Sequence, residues 1–391
     1  MQKEILKKLA GELSTPSFVF DADEFADKAM SIKKALGDIP LCFSIKANPF
    51  LLSVLPDCIS KVEVCSPGEL TICKNLSIAP EKIIYSGVNK GEADITEALE
   101  YGVAIITAES PLHVQLINEI SIKLGIKAHT ILRLSNGNQF GMDGAIIEDI
   151  IANRADYDGL DIIGYHYYTG TAKKKKNVID SDVDDFENFI DAVKEKYGYS
   201  PSHVEYGPGM SAEYFNPPYE EKDDEILATT CERLKDFGKK YNLTVEMGRF
   251  LASSCGTYLT AVADLKTTGT TNYVICDGGM NHLKYYGQTM AMQIPPISVL
   301  NDSEECKAYT LCGSLCTTAD ILVRKVELPE LKIGDVLAFG RCGAYTVTEG
   351  IGLFLSRTLP KIAVYSKKNG VTVVRDFYNS DILNTPRGFE K

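Results

Sequence analysis

Short apolar runs alternate with longer stretches of helical spacing along the first 250 residues of the chain. Between the runs, apolar positions recur every three or four residues, as at Ile95, Ala98 and Leu99. Eight strands that alternate with helices are typical of a parallel (β/α)8 barrel, so the pattern predicts a TIM barrel over residues 23–255. An open doubly wound sheet is the alternative, although no GxGxxG motif follows the first strand. The predicted strands are 40–46, 62–66, 83–86, 103–108, 129–134, 162–168, 203–207 and 244–249.

After about residue 256 the pattern changes to closely spaced strands joined by turns. Segments such as TYLTAVADLKTT, DVLAFG and VTVVRDF are strand-like, and few stretches are long enough for a helix. This pattern predicts a second domain over residues 256–391, a β-sandwich or β-barrel. The opening segment TPSFVFDAD is also strand-like, so we expect residues 1–22 to join the β domain before the chain enters the barrel.

Composition excludes several classes of function. The net charge of −12 and the isoelectric point of about 5.1 argue against binding to nucleic acid or anionic membrane. No apolar stretch reaches the ~20 residues of a membrane span, and no signal peptide is visible, so we expect a cytoplasmic protein. The 11 cysteines and five histidines show no metal-ligand spacing, which indicates reduced thiols and no metal site. The basic run 173–176 is interpreted as a solvated loop tip.

Lys46 is the most informative residue. It ends the first predicted barrel strand, just before the helix-breaking pair Asn48-Pro49. Burial and nearby positive charge at such a position lower the pKa of a lysine and make it a nucleophile for carbonyls. A surface lysine that closes a strand is the alternative.

Other reactive side chains also fall at the ends of predicted barrel strands. The active sites of TIM barrels lie at this C-terminal face, and the loops after the last two strands commonly hold phosphate. The turn Gly207-Pro208-Gly209 follows strand 7 and Gly248 follows strand 8, where glycine lets backbone N–H groups approach an anion. Glycines that merely close tight turns are the alternative. Ser66 ends strand 2 and Arg133 ends strand 5. His166 lies within strand 6, and Glu246 and Arg249 mark strand 8.

An amine, a glycine-rich phosphate site and a carboxylate on the last strand together match the needs of pyridoxal phosphate. The amine binds the aldehyde, the glycine turns hold the phosphate, and the carboxylate keeps the pyridine nitrogen protonated. Glu246 is the candidate carboxylate. Its alternative role is a strand-end acid paired with Arg249.

Ten segments in order resemble the fold-type III pyridoxal phosphate decarboxylases of diaminopimelate, ornithine and arginine. Alanine racemase is a more distant relative with the same barrel, and the resemblance covers nearly the whole chain. The segments are FSIKANP, VEVCSPGEL, SGVNK, LRLSNGNQFGM, GYHYYTGT, EYGPGM, EMGR, CDGGMN, GSLCTTAD and GAYTVTE.

The resemblance implies a role for each matching residue. Lys46 would be the Schiff-base lysine, Glu246 the partner of the pyridine nitrogen, and Cys316 a proton donor supplied across a homodimer interface. Asp277 would lie on a substrate-facing loop, and Ser66 and Glu69 would stand at matching positions of the second strand and the helix start that follows it. The residues implied to contact the cofactor are Lys46, Ser66, Arg133, His166, Tyr168, Thr171, Gly207, Gly209, Glu246, Gly248, Arg249 and Tyr345.

The sequence departs from the family at the cofactor ring and in the distal substrate pocket. Tyr168 replaces the usual ring-stacking histidine, and Pro208 replaces the middle glycine of the phosphate turn. Thr317 replaces a glutamate that reads the distal amine of diaminopimelate. In place of the usual Arg-Pro pair the chain has HLKYYGQ, where Lys284 could supply a cation, and Glu349 is a candidate reader of a substrate amine.

These departures point away from diaminopimelate itself. The H-x-Y-x-G-T pattern at 166–171 resembles decarboxylases of siderophore and natural-product pathways, some of which act on carrier-linked amino acids. The sequence therefore predicts a homodimeric decarboxylase of an amino acid or amino-acid conjugate, which releases carbon dioxide and an amine. The alternatives are a racemase that uses Tyr345 or Tyr286 as second base, and a non-catalytic homologue that binds a partner.

Overall fold

The computed structural model describes residues 1–387 and divides the chain into two compact units. One unit comprises Met1–Asp27, Glu213–Tyr219 and the chain from Ala252 onward, and the other comprises Lys28–Ala212 and Glu220–Leu251. Residues 388–391, the last four of the predicted β domain, lie outside the described residues. The chain begins with helix α1 (Lys3–Leu13) and strand β1 (Ser17–Asp21), both in the first unit.

The second unit is a closed barrel of eight parallel strands in chain order. Each strand pairs with the next, and the last pairs with the first in the register Cys42↔Glu246, which closes the barrel. The predicted TIM-barrel fold is therefore confirmed. The strands are β2 (Leu41–Ser44), β3 (Lys61–Val64), β4 (Ile83–Tyr85), β5 (Ile105–Ala108), β6 (Ala128–Leu134), β7 (Leu160–Tyr168), β8 (His203–Gly207) and β9 (Leu243–Met247).

Helices follow the strands, and residues that favour a helix start mark where some of them begin. Helix α3 starts at Ser66, whose hydroxyl accepts a hydrogen bond from the backbone N–H of Glu69 at 3.1 Å, with Pro67 in the first turn. The helices are α2 (Ala22–Leu36), α3 (Pro67–Asn75), α4 (Glu92–Tyr101), α5 (Pro111–Leu124), α6 (Gly144–Ala152), α7 (Lys176–Tyr197), α8 (Tyr219–Lys240) and α9 (Arg249–Ala252). Short 3-10 turns lie at Ile45–Ala47, Pro49–Val54, Pro80–Lys82 and Arg154–Asp156.

One side of the barrel lumen is apolar. Cys42, Ile84, Ile105 and Ile131 form a buried cluster, although they come from β2, β4, β5 and β6. Because β2 neighbours only β3 and β9, its contact with this cluster passes through the lumen. Other lumen positions, including Glu63 on β3, His166 on β7 and Glu246 on β9, carry the polar residues described in the next subsection.

The first unit contains a nine-stranded mixed sheet, which agrees with the predicted β domain. Its order is β14-β13-β11-β10-β1-β16-β17, with β15 paired to β10 and β12 paired to β15. The strands are β10 (Gly256–Thr268), β11 (Thr271–Cys276), β12 (Ile297–Val299), β13 (Cys306–Cys312), β14 (Ile321–Pro329), β15 (Val336–Gly340), β16 (Lys361–Ser366) and β17 (Gly370–Arg375). Two short helices, α10 (Thr346–Glu349) and α11 (Asp381–Asn384), and a 3-10 turn, Phe354–Ser356, complete the described chain.

Helix α1 covers one face of this sheet. Leu6, Leu9 and Leu13 recur at helical spacing and are all buried. They pack in one cluster with Val19, Leu259, Ala338 and Ala363. The first helix therefore belongs to the core of the sheet unit. The sequence pattern of residues 1–22 predicts a strand in TPSFVFDAD but does not anticipate this helix.

Asp320 connects two loops of the sheet unit. Its carboxylate accepts hydrogen bonds from the backbone N–H groups of Met280 and Leu315, each at 2.8 Å. A Cβ atom on Gly279 or on Gly313 would collide with the same carboxylate, so both loops need glycine at their approach to Asp320. This acid holds the loop of Asp277 and the loop of Cys316 together.

We expect the substitution Asp320→Ala to destabilise the protein by about 1–3 kcal/mol, because it leaves a buried and a partly buried backbone N–H group without acceptors. Urea unfolding followed by circular dichroism measures the change. The exposed Asp264, which accepts one N–H bond from Leu265, is the matched control, and Asp264→Ala should fall within about 0.5 kcal/mol of wild type. Equal effects of the two substitutions would contradict this account.

Candidate active site

Lys46 lies at the mouth of the barrel and is held by two carboxylates. It occupies the 3-10 turn that follows β2. Its Nζ lies 2.8 Å from Oε2 of Glu63 and 3.6 Å from Oε1 of Glu246. The lysine side chain is 37% exposed, whereas the Glu63 and Glu246 side chains are 3% and 5% exposed. The amine therefore opens to the mouth while its counter-ions stay in the lumen, and these neighbours are acids rather than the cations that we expect from the sequence.

Glu246 lies on β9 and is engaged on both oxygens. Oε1 accepts a hydrogen bond from Oγ of Ser44 at 2.9 Å, and Oε2 lies 3.2 Å from Nε2 of His166. Burial alone would raise the pKa of Glu246, but the charge of Lys46 and the His166 hydrogen bond outweigh burial and hold that pKa well below its usual range. Glu246 is therefore a buried anion near neutral pH.

Glu63 and Cys65 complete the surroundings of the amine, and sequence reasoning missed both. The Cys65 Sγ lies 3.4 Å from Lys46 Nζ and 3.3 Å from Glu63 Oε1. Burial raises the pKa of Cys65 well above its usual range, and Glu63 raises it further, so the group is a thiol. The signal for these residues was present, because residues 61, 63 and 65 alternate and so share one face of the strand.

The turn after β8 fits a phosphate cradle. Gly209 has a φ of +62° and a Cβ on it would collide with the carbonyl oxygen of Gly170. A Cβ on Gly207 would lie 2.6 Å from Cδ2 of Tyr168. Both positions therefore admit glycine only, which brings the backbone of this turn against the loop after β7 and leaves it accessible to an anion.

Lys173 fastens the loop after β7 to this turn. Its backbone N–H donates to the Gly209 carbonyl at 2.9 Å, and its own carbonyl accepts from the Ser211 N–H at 2.9 Å. The side chain is 9% exposed and forms an ion pair with Asp182. The interpretation of residues 173–176 as a solvated tip is therefore wrong for Lys173. Its side chain is largely buried, and its ion-pair partner Asp182 lies on α7.

The other residues implied to contact the cofactor are placed as follows. Arg133 is buried and pairs with Glu109, whose second oxygen accepts the Gly141 N–H at 3.0 Å. Ser66 caps α3, Thr171 is exposed, and Arg249 is buried at the start of α9. A Cβ on Gly248 would lie 3.1 Å from Cβ of Ala47, beside Lys46. All of these belong to the barrel unit.

Asp277, on the sheet unit, is occupied by structural hydrogen bonds. Oδ2 accepts from the Thr15 hydroxyl at 2.5 Å, and Oδ1 accepts from the Thr260 hydroxyl at 2.6 Å and from the Ala261 N–H at 3.0 Å. These bonds join the segment before β1 to the turn after β11. A role in substrate binding stays a prediction for this residue.

The predicted distal-pocket residues Lys284 and Glu349 lie beside each other in the sheet unit. Their Nζ and Oε2 atoms are 3.6 Å apart, and both line a cavity of about 550 Å³ with Arg324, Gln288 and apolar side chains. Cys316 is exposed, and the hydroxyl of Thr317 accepts the Ala319 N–H at 3.3 Å. Tyr345 has a φ of +65° and precedes α10, a conformation that non-glycine residues seldom adopt.

Two expected absences concern ions and membranes. Within residues 1–387, no group of three or more His, Cys, Asp or Glu side chains is arranged to hold a metal ion. Among the described helices, none has both the length and the apolar character that a membrane crossing requires.

Comparison with known proteins decides the family. A model described as "Pyridoxal-dependent decarboxylase, pyridoxal binding domain" matches residues 22–253. The chain belongs to this family. It is a pyridoxal phosphate-dependent carboxy-lyase, and its homologues support the coarse assignment of an amino-acid decarboxylase.

Curated relatives match along nearly the whole chain. Diaminopimelate decarboxylase of Aquifex aeolicus is 26% identical over 401 residues, which cover 97% of this chain and 93% of the relative. The L-glutamyl-[BtrI acyl-carrier protein] decarboxylase of Niallia circulans is 26% identical over 398 residues, which cover 94% and 92%. Diaminopimelate decarboxylase of Pseudomonas aeruginosa is 29% identical over 362 residues, with 87% and 85% covered.

Solved structures show the same fold. A crystal structure of diaminopimelate decarboxylase from M. jannaschii in complex with L-lysine superposes with a TM-score of 0.86 at 23% identity, covering 98% of this chain and 94% of that one. The crystal structure of AQ1208 from Aquifex aeolicus gives a TM-score of 0.83 at 25% identity, covering 97% and 93%.

The barrel residues fit the cofactor. The buried anion Glu246 suits a protonated pyridine nitrogen, the amine of Lys46 suits the aldehyde, and the bare backbone at Gly207 and Gly209 suits the phosphate. Tyr168, whose ring lies against Gly207, offers an aromatic face in place of the usual histidine.

We expect Gly209→Ala to weaken binding of pyridoxal phosphate roughly ten- to hundredfold, because the new methyl group displaces the turn and strains its backbone. Titration of the apoenzyme with the cofactor, followed by absorbance, gives the dissociation constant. Gly198 is a matched control, since its φ is +64° and nothing lies within 4 Å of an added Cβ. Cofactor affinities that are equal in the two variants would show that the turn does not hold the phosphate.

Proposed function

We propose that this enzyme decarboxylates the α-carbon of an amino acid or of an amino-acid conjugate, with Lys46 as the residue that holds the cofactor covalently. The observation that supports this proposal most directly is the arrangement of Lys46 and Glu246. An amine and a buried carboxylate lie 3.6 Å apart at the C-terminal mouth of a closed barrel. The relatives described above are named as decarboxylases, which supports this reaction.

When bound, pyridoxal phosphate supplies an electron sink for the electron pair that loss of carbon dioxide leaves on the α-carbon. Glu246 would face the ring nitrogen and, because its pKa is held well below its usual range, would offer that nitrogen a negative charge. Glu63, at 2.8 Å from the Lys46 amine, accepts a hydrogen bond from it and keeps it oriented at the mouth. Arg133 would lie near the cofactor, and the glycine turn would bind its phosphate.

Protonation of the α-carbon requires an acid that the amine cluster itself does not supply. The Cys65 thiol has a pKa raised well above its usual range by burial and by Glu63, which makes it a weak proton donor. We assign the proton to Cys316 of the partner subunit, whose side chain is exposed on the sheet unit. This assignment implies a two-fold homodimer with shared sites.

We infer that the distal end of the substrate is read by the pair Lys284 and Glu349. These side chains are partly exposed, at 56% and 37%, and a cation next to an anion can bind both polar ends of an amide or amino-acid tail. Their cavity also contains apolar side chains, among them Leu283, Tyr285 and Ile321. The apolar part of this lining would contact the carbon chain of the substrate, and the charged pair would bind its polar end.

The proposed reaction predicts release of carbon dioxide from one member of a panel of amino acids. The panel contains diaminopimelate, lysine, ornithine, arginine, glutamate and a glutamyl thioester of a carrier protein. Lys46→Ala should abolish release and lose its cofactor on dialysis, because the covalent link is gone, while the exposed Lys123→Ala keeps both properties. Normal turnover by the Lys46 variant would refute the assignment of Lys46. Inversion of the α-carbon without release of carbon dioxide would indicate the racemase instead.

Shared sites predict complementation between two inactive variants. Cys316→Ala alone should lose about 10²–10⁴-fold in kcat, the usual contribution of a positioned acid. When it is co-expressed with Lys46→Ala, random pairing gives mixed dimers with one intact site, so roughly a quarter of all sites should be active. Carbon dioxide release per dimer measures this fraction. Activity no greater than the sum of the two parent variants would show that Lys46 and Cys316 serve the same site from one chain.

A further inference from the structure

Glu205 lies directly below the hydrogen bond between His166 and Glu246. That bond joins β7 to β9, and Glu205 lies on β8 between them. The strand register pairs Glu205 with His166 on one side and with Thr244 on the other. Paired residues in a parallel sheet point to the same face and neighbouring strands are ~4.8 Å apart. Glu205 therefore faces the lumen, beside the His166 ring and one layer beneath Glu246.

Both Glu205 and His166 have polar atoms that lack a partner. The Glu205 side chain is fully buried, and neither of its oxygens has a hydrogen-bond partner among residues 1–387. In the same described part of the chain, Nδ1 of His166 is buried and also has no partner, whereas Nε2 lies against Glu246. Buried polar groups in native proteins are nearly always hydrogen-bonded. One bond between these two neighbours would give a partner to Nδ1 of His166 and to one oxygen of Glu205.

The surrounding charges favour a neutral form of Glu205. The groups that act on it from the packed strands are Glu246 on β9, Glu63 and Lys61 on β3, and Lys46 after β2. Cys42 on β2 and His203 on β8 itself are further titratable neighbours. Burial raises the pKa of Glu205 well above its usual range, and the carboxylates of Glu246 and Glu63 raise it further against the opposing lysines. An ionised carboxylate that is buried here without hydrogen bonds would lower the stability of the fold.

We propose that Glu205 is a positioning residue that donates its carboxylic O–H to Nδ1 of His166. The His166 ring then carries its own proton on Nε2 and donates that proton to Glu246. Glu205, His166 and Glu246 form a directed chain of donors that ends at the carboxylate assigned to the pyridine nitrogen. This inference rests on the proposed function only for the assignment of Glu246 to the pyridine nitrogen.

This arrangement fixes both the tautomer and the orientation of His166. A neutral Glu205 supports the ring without adding another negative charge to the lumen beside Glu63 and Glu246. The competing arrangement has an ionised Glu205 and a doubly protonated His166, which would place a cation next to Glu246 and weaken its attraction for the pyridinium. The two arrangements differ in the protons on both residues, so they can be separated by spectroscopy.

Nitrogen-15 NMR of the full-length holoenzyme labelled in histidine distinguishes them. The chain has five histidines, and the resonances of His166 are assigned by their loss in His166→Gln. The proposal expects a bare Nδ1 and a protonated Nε2 in wild type. Infrared difference spectra between wild type and Glu205→Gln should show the carbonyl stretch of a protonated carboxylic acid in wild type only.

Two substitutions at position 205 test the donor. Glu205→Gln keeps an N–H donor and should preserve the His166 resonances, with kcat within about threefold of wild type. Glu205→Leu has a similar volume but no donor, so His166 should shift toward a mixture of tautomers, with kcat roughly tenfold lower and KM little changed. Thr244→Val is the matched control, because it alters the other register neighbour of Glu205 and should leave His166 as in wild type.

The proposal is overturned if Glu205→Leu leaves the His166 resonances unchanged, or if wild type shows an imidazolium with both nitrogens protonated. The NMR and infrared readouts need no substrate. An enzyme that releases carbon dioxide from no tested amino acid but shows the His166 response would therefore refute the proposed reaction and support the positioning role of Glu205.

Discussion

The active site depends on the burial of acid side chains in the barrel lumen. Glu63, Glu205 and Glu246 are all buried and enter the barrel from β3, β8 and β9. Negative charges on all three would repel one another, and burial penalises each ionised carboxylate. The amine of Lys46 and the donors Ser44 and His166 compensate Glu246, and this compensation ties the chemistry of the site to the closure of the barrel.

Strand register therefore decides the function as much as residue identity does. A shift by one residue would turn a lumen side chain toward the helices, because side chains alternate along a strand. The apolar cluster of Cys42, Ile84, Ile105 and Ile131 packs in the same lumen and favours that register. The barrel interior thus combines apolar packing with polar chemistry.

The sequence predicts the barrel and its mouth well, because apolar runs of strand length alternate with helical spacing and Lys46, Glu246 and the glycine turn fall at strand ends. It predicts the lumen poorly. Both faces of a parallel strand are buried, so a run such as HVEYG gives no sign that Glu205 faces inward rather than toward a helix. Lys173 was misjudged for a related reason, since its counter-ion Asp182 lies on a helix whose packing the sequence does not reveal.

The place of β1 in the sheet has a consequence for synthesis of the chain. β1 pairs with β10 on one edge and with β16 on the other, in the register Phe18↔Ile362 for the second pair. The eight barrel strands are complete at residue 247, whereas β1 cannot finish its pairing until β16 has left the ribosome. Such long-range pairing forms late because distant segments must meet first. The barrel can therefore close during translation, while the sheet cannot be completed before β16 has been synthesised.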